Sequence, residues 1–300
     1  MNNILILGAA GYIGSTLTNY LKSKNKKIFT VDINWFNGPT VDMVSDFACL
    51  DKKFLSEFSH IILLAGHSSM AMCSDNYESA WNNNVTNFSR LISRLDNNQT
   101  LIYASSGSVY GINGTDRKEY MSLSSAQIEY DLSKQIIEKL ALGAKCKTIG
   151  LRFGTVNGFN NYARSDLMIN AMVISALTKK SIDCYNANNH RSILGIDDCV
   201  RAIDTIIDSP ITLEQHEIFN LASFSGTIST FANDVAGYLS VPVTVYPNVT
   251  NNFSFELNCD KFSNLYRFAF NDDTISIVQR IVDNYQNINW STRTEKITYV

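Results

Sequence analysis

The chain opens on a short apolar run, Ile4 to Leu7, that stops at Gly8. Consecutive apolar residues ending in a glycine predict a strand buried on both faces and followed by a turn, the habit of parallel sheets. From Tyr12 to Lys22 the positions Ile13, Leu17 and Leu21 recur at helical spacing. Ile28 to Val31 reads as a second strand, closed by Asp32. Ile61–Ala65, Leu101–Ser105 and Thr148–Phe153 read as further strands. Helical stretches are predicted between them, around Phe54, over Asn83–Leu95 and over Ser125–Leu142. Strands alternating with helices predict an α/β chain with an open parallel sheet covered on both faces.

Beyond Phe153 the rhythm changes. A polar stretch, Asn157 to Asp166, precedes a helix carrying Leu167, Ala171, Ile174 and Leu177. Short strands are predicted at Ile182–Tyr185, Ile193–Ile196 and Phe219–Ala222, with the Asn-rich segment Asn186–His190 between the first two. Helices are predicted at Asp198–Ile207 and Ser229–Leu239, the latter weakened by Asn233, Asp234 and Gly237. No repeat or low-complexity linker divides the chain. The expected organisation is therefore interleaved. Residues 1–155, joined by about 190–222, form the larger unit; residues 156–189 and 223–300 form a smaller, loop-rich lobe.

Composition narrows the function. Of 300 residues, 45% are hydrophobic, enough for a large core, and Lys plus Arg (25) nearly balances Asp plus Glu (28). Without a basic block there is no electrostatic footprint for nucleic acid or a membrane surface. The six cysteines, Cys49, Cys73, Cys146, Cys184, Cys199 and Cys259, form no CxxC pair. They read as free thiols in a reducing compartment, and no metal site is expected. No apolar run reaches the ~18 residues of a membrane span. The N-terminus lacks a basic region and a long apolar stretch, so it does not read as a signal peptide, and a cytoplasmic location is expected. Sequons such as Asn84-Val85-Thr86 then read as chance matches.

Three motifs carry chemistry. Gly8, Gly11 and Gly14 sit where the first strand meets the first helix, with Tyr12 and Ile13 between the last two. Glycines there let the backbone approach a pyrophosphate, and the helix N-terminus offers unpaired N–H groups to the anion. Asp32, at the end of the second strand, suits the adenosine ribose hydroxyls and repels a 2′-phosphate, which favours NAD over NADP. Tyr130 and Lys134 are four apart and share a helix face. A cation at ~4 Å in an effective dielectric of ~20 is worth roughly 4 kcal/mol, about three pKa units. The positive nicotinamide ring would lower the Tyr130 hydroxyl further, and the pair could then make a phenolate that takes a proton from an alcohol. Ser105-Ser106-Gly107-Ser108-Val109-Tyr110-Gly111 places hydroxyls at the C-terminal edge of the sheet, where ligands of such folds bind.

In this order the motifs resemble the extended short-chain dehydrogenase/reductases, of the nucleotide-sugar epimerase and dehydratase type. Gly8, Gly11 and Gly14 match the family GxxGxxG. Asp46-Phe47, Leu64-Ala65-Gly66 and Asn84-Val85 resemble its segments around adenine and under the cofactor. Ser106 matches the catalytic Ser/Thr; Tyr130 and Lys134 match YxxxK. Leu151 to Gly158 is similar to LRxxNVYG, and Arg191 to the Arg that grips the nucleotide diphosphate. The resemblance implies a Rossmann-like, doubly wound parallel sheet with a smaller interleaved C-terminal substrate lobe. It also implies an NAD cofactor, a nucleotide-sugar substrate and a homodimer through the helices near Asn84–Leu95 and Ser125–Leu142.

The departures point to the reaction. Family 4,6-dehydratases carry an Asp-Glu pair after the catalytic Ser/Thr; here Gly107 and Ser108 stand there. Decarboxylating members use a Glu, and deoxyhexose reductase-epimerases a Cys, where Ser108 stands. What remains resembles the 4-epimerases, and C4 epimerisation is the expected reaction. A net sugar-nucleotide dehydrogenase or keto-reductase is the alternative. A non-catalytic cofactor sensor is a second, against which the intact Ser106, Tyr130 and Lys134 argue. Thr155 replaces the usual Asn, and Asn157 the usual Tyr. Asp166 stands where many members have an Asn touching the diphosphate, a repulsive arrangement unless Arg164 or Arg191 compensates. His67 and Ser68 follow the third strand; His67 reads equally as a wall of the sugar site or as an ordinary loop residue. His60 reads as a strand-entry residue and His190 as a surface loop histidine. Trp35, Trp81, Trp290, Tyr103 and Tyr110 read as packing residues.

Overall fold

A computed structural model describes residues 3–111, 113–126, 128–211, 213–247 and 254–290. Met1 and Asn2, Gln127 within the expected helix Ser125–Leu142, and residues 248–253 and 291–300 of the expected small lobe lie outside the described residues.

The first half alternates as its apolar pattern predicts. β1 (Ile4–Leu7) leads through the glycine turn into α1 (Tyr12–Ser23), then β2 (Ile28–Asp32), β3 (Met43–Val44), α2 (Lys52–Leu55) and β4 (His60–Leu63). Next come α3 (Met70–Asp75), α4 (Tyr77–Trp81), a π-helical turn at Asn82–Thr86, α5 (Asn87–Arg94) and β5 (Thr100–Ser106). β6 (Asn113–Arg117), α6 (Glu129–Ala141) and β7 (Lys147–Phe153) follow. The second half holds β8 (Thr155–Asn157), α7 (Met168–Lys179), β9 (Ile182–Cys184), β10 (His190–Gly195), α8 (Ile196–Asp208) and β11 (His216–Leu221). It ends with β12 (Phe224–Thr227), α9 (Ile228–Leu239), β13 (Val243–Val245), β14 (Ser254–Leu257), α10 (Asp260–Tyr266) and α11 (Thr274–Asp283).

Among the described residues, seven parallel strands form the central sheet in the order β11-β7-β5-β4-β1-β2-β3. Alternate residues of β1 face opposite cores. Ile4 and Ile6 pack with Leu17 and Ile203 on one side; Leu5 and Leu7 pack with Phe88 and Ile137 on the other. This two-sided burial is why the strand is apolar at every position. β2 and β4 flank β1, so the chain reverses direction of travel across the sheet at its C-terminal edge. That switch point opens a crevice for a ligand.

The smaller sheets pin the second half to this frame. β10 pairs with β8 and β12, β13 with β9, and β14 with β6. α8 and β11 return to the central layers, α8 beside α1 and β11 beside β7.

Several expectations shift. The third strand stops at Leu63, so Leu64, Ala65 and Gly66 form the loop at its end. The helix expected from Ser125 starts at Glu129, after Ile128 in extended conformation. The polar stretch Asn157–Asp166 begins inside β8. Asn157 Oδ1 accepts the backbone N–H of Ile169 at 2.9 Å, satisfying a donor at the start of α7 that Leu167 cannot cap. Asn157 therefore anchors the start of that helix. β3, α3, α4, β6, β12, β13, β14, α10 and α11 have no counterpart in the periodicity, because most are too short to show a period. No helix among the described residues is long and apolar enough to cross a membrane.

Candidate active site

A cavity of about 760 Å³ lies over the C-terminal edge of the central sheet. One wall is the glycine turn. Gly8 has φ of +91°, a region that L side chains rarely adopt, and a Cβ on Gly14 would stand 2.0 Å from the Gly8 carbonyl oxygen. The turn can close this tightly only with glycine. α1 then begins at Tyr12, after Gly11 at its N-cap, with no side-chain cap and no acidic residue in its first turn, so its N–H groups remain available to an anion. The Asp32 carboxylate accepts the N–H of Ala10 at 2.9 Å and of Asn34 at 2.7 Å, tying the turn to the end of β2. Each oxygen keeps a lone pair for a ribose hydroxyl. Tyr12 and Ile13 line the same wall, and the Tyr12 hydroxyl reaches across to the Gly158 carbonyl at 2.7 Å. Asp46, Phe47, Leu64, Ala65 and Gly66 line the flank. Asp46 also caps the short turn after it by accepting from Ala48 N–H at 2.8 Å. Uncapped N–H groups, a carboxylate at the ribose position and an apolar flank fit NAD.

Asn84 stands behind this wall instead of on it. Its side chain accepts from the His67 N–H at 2.8 Å and donates to the His67 carbonyl at 3.0 Å. It therefore holds the His67 loop in place. Its donor also reaches Ser133 at 3.3 Å, so its amide is used within the protein.

At the sheet edge, Ser106, Tyr130 and Lys134 share the cavity. β5 delivers Ser106, and α6 delivers the other two. The Ser106 and Ser108 hydroxyls are 2.8 Å apart. Lys134 is buried, donates to the Ala104 carbonyl at 2.9 Å, and sits 5.6 Å from the Tyr130 ring centroid. Burial pushes the Tyr130 hydroxyl up to about 12, with the Ser106 hydroxyl pulling the other way. Burial also pulls Lys134 down to about 8. Within the protein alone, the lysine does not bring the phenol down. The ammonium is committed to a carbonyl, and removal from water outweighs its attraction. The protein alone keeps Tyr130 protonated.

His67 is fully buried on the cavity wall, held by Asn83 at 3.2 Å and edge-on to Trp35 at 6.1 Å. Burial pulls its imidazole down to about 4, so it is neutral at physiological pH. Ser68, Thr155, Asp166 and Arg191 line the far end. Arg164 answers the anticipated repulsion at Asp166. Its Nε and Nη2 meet the two carboxylate oxygens at 3.0 and 2.5 Å, and its Nη1 reaches the Ser68 hydroxyl at 3.1 Å. Arg191 makes no ion pair among the described residues; its guanidinium donates only to the adjacent His190 carbonyl at 3.0 Å. Its charge faces the cavity without a carboxylate partner among the described residues. His190 turns away, with Nδ1 2.6 Å from Glu256 Oε1. His60 opens β4 as expected.

Trp35 and Asp131 are among the wall residues that the sequence reading did not place in the site. Trp35 gave no signal, because its loop has no period. Asp131 did: it lies three residues before Lys134, hence on the same helix face.

The crevice joins a dinucleotide cradle, a Ser–Tyr–Lys edge and an arginine at the far end, the layout of an enzyme that modifies nucleotide-linked sugars. Residues 4–222 match the NAD dependent epimerase/dehydratase family, and the chain belongs to that family. Protein CapI of Staphylococcus aureus is 28% identical, over 69% of this chain and 70% of that protein. UDP-glucuronate 4-epimerase 4 of Arabidopsis thaliana is 25% identical, over 67% of this chain but only 54% of its own length. In structure, the UDP-glucuronic acid 4-epimerase of Bacillus cereus, solved with UDP-glucuronic acid and NAD, is similar with a TM-score of 0.82. It is 19% identical, over 95% of this chain and 99% of that one, a likeness of fold.

Proposed function

We propose that the protein interconverts UDP-sugars by epimerisation at C4, through a 4-keto sugar. The observation that carries this reading is the single cavity joining the uncapped start of α1, the Ser106–Tyr130–Lys134 edge and Arg191. NAD, when bound, supplies a hydride acceptor and donor at C4. Tyr130 exchanges a proton with the 4-hydroxyl, and Ser106 orients that oxygen by hydrogen bonding. For Tyr130 to act as a base its proton must become easier to lose than in the protein alone, and the positive charge of an oxidised nicotinamide would work in that direction. Arg191 anchors the diphosphate while the released keto sugar turns over, so remote binding energy holds the substrate during the turn. Gly107 and Ser108 offer no side-chain acid for elimination at the positions where dehydratases carry one. Pairing of two copies through α5 and α6 belongs to the same reading and is checked by the mass in solution.

The test combines release of bound NAD from the purified protein with incubation on UDP-glucose, UDP-N-acetylglucosamine and UDP-glucuronate. A 4-epimer without net absorbance change at 340 nm is expected. A stoichiometric build-up of NADH would show net redox chemistry instead. Tyr130→Phe should lower kcat by about 100-fold or more; unimpaired turnover would refute the role of the phenol.

A further inference from the structure

Asp131 is 1% exposed and lines the cavity between Tyr130 and Lys134 on α6. Both its carboxylate oxygens lack a hydrogen-bond partner in standard geometry among the described residues. The Ser108 hydroxyl is the polar group that bears on it, and that hydroxyl lies 2.8 Å from Ser106. A buried carboxylate with so little hydrogen bonding is costly and uncommon. Such a group persists where a ligand brings the missing donors.

Among the described residues no cation forms an ion pair with it. Cys73 on α3 and Tyr130 both feel Asp131, and burial keeps both protonated, at about 11 and about 12. Lys134 is turned to the Ala104 carbonyl. Arg164 acts on Tyr130 from the other side, but both oxygens of Asp166 already occupy it. The cavity thus holds Arg164 matched by Asp166, Arg191 set aside at the far end, and the Asp131 carboxylate, which none of these cations pairs with.

We propose that Asp131 determines sugar specificity: it accepts hydrogen bonds from hydroxyls of a neutral hexose or N-acylhexosamine, and it repels a hexuronate. This rests on the UDP-sugar reading of the same cavity and runs against the glucuronate named for two of the similar proteins. A second carboxylate in this space would have to share a proton with Asp131 or leave the pocket. Burial holds the Asp131 carboxyl up at about 6, so the repulsion fades in mildly acidic solution.

Titration of the NAD-loaded protein with UDP-glucose, UDP-N-acetylglucosamine and UDP-glucuronate, paired with turnover, tests this. A neutral sugar should be preferred over the uronate by roughly tenfold or more in kcat/KM at pH 7.5. Asp131→Asn, which keeps the shape and removes the charge, should shrink that ratio about tenfold. In the unaltered protein the ratio should shrink likewise between pH 7.5 and 5.5, which needs no variant to fold. Equal or tighter use of the uronate at pH 7.5, or a ratio indifferent to both the substitution and pH, overturns the role of Asp131 alone. Failure of every UDP-sugar to bind overturns the function proposed above and this role with it.

Discussion

Tyr130 and Asp131 are neighbours in sequence but respond oppositely to the same cavity. For Tyr130, burial raises a pKa that was already high and preserves the neutral phenol. For Asp131, burial raises the carboxyl from 3.8 to about 6, with only the Ser108 hydroxyl pulling the other way, and leaves a poorly compensated charge at neutral pH. The second shift has a consequence for stability. A carboxyl whose folded pKa lies above its unfolded value favours the folded state while protonated. That advantage is complete below about pH 4 and is lost as pH rises to about 6. Asn carries no such charge. Relative to the unaltered protein, Asp131→Asn should therefore gain about 2 kcal/mol of stability between pH 4 and 7, levelling off above pH 6. Urea unfolding at several pH values measures this, and a flat difference would mean that Asp131 is solvated or paired. A binding role explains why a chain would tolerate such a cost.

At the scale of elements, α6 carries the site, and a buried network fixes its position. Glu138, two turns beyond Asp131, receives both Nε and Nη2 of Arg152 at 2.9 and 2.7 Å, and the Ser105 hydroxyl at 2.5 Å. Arg152 also donates to the Tyr110 hydroxyl at 2.7 Å, which in turn donates to Asn220 at 2.9 Å. One cluster thus ties α6 to β5, β7 and β11. Removing one partner leaves an uncompensated buried charge, so Arg152→Met should destabilise by about 3–5 kcal/mol. A loss below about 1 kcal/mol in denaturant unfolding would mean that the network is solvent-screened. Tyr110 is thus more than the packing residue its position at the sheet edge suggested. Its ring could be foreseen as buried, but its hydroxyl contacts depended on β11, which lies more than a hundred residues further along the chain.

Across the whole molecule, the cofactor and sugar ends are built from distant parts of the chain and meet only in the fold. Gly8, Asp32 and Ala65 come from the first half; Thr155, Asp166 and Arg191 come from the second. Arg191 is expected to act on the substrate alone. Arg191→Met should raise KM for the UDP-sugar by roughly 10–100-fold, the worth of a charge-assisted contact, while NAD binding stays within twofold or so. A parallel loss of NAD affinity would move Arg191 to the cofactor side.

The sequence by itself determined the parallel sheet, the glycine turn and the Ser106–Tyr130–Lys134 set, because these depend on local period and short spacing. Strand burial, turn geometry and helix faces are written within a few residues of each other. It could not determine that Asn84 braces a loop, that Arg164 is occupied by Asp166, or that Tyr130 stays a protonated phenol. Nor could it show that Asp131 would be buried with no ion-pair partner among the described residues. Those depend on which groups from distant segments reach each other, and on how far each is withdrawn from water, and only the tertiary structure decided them.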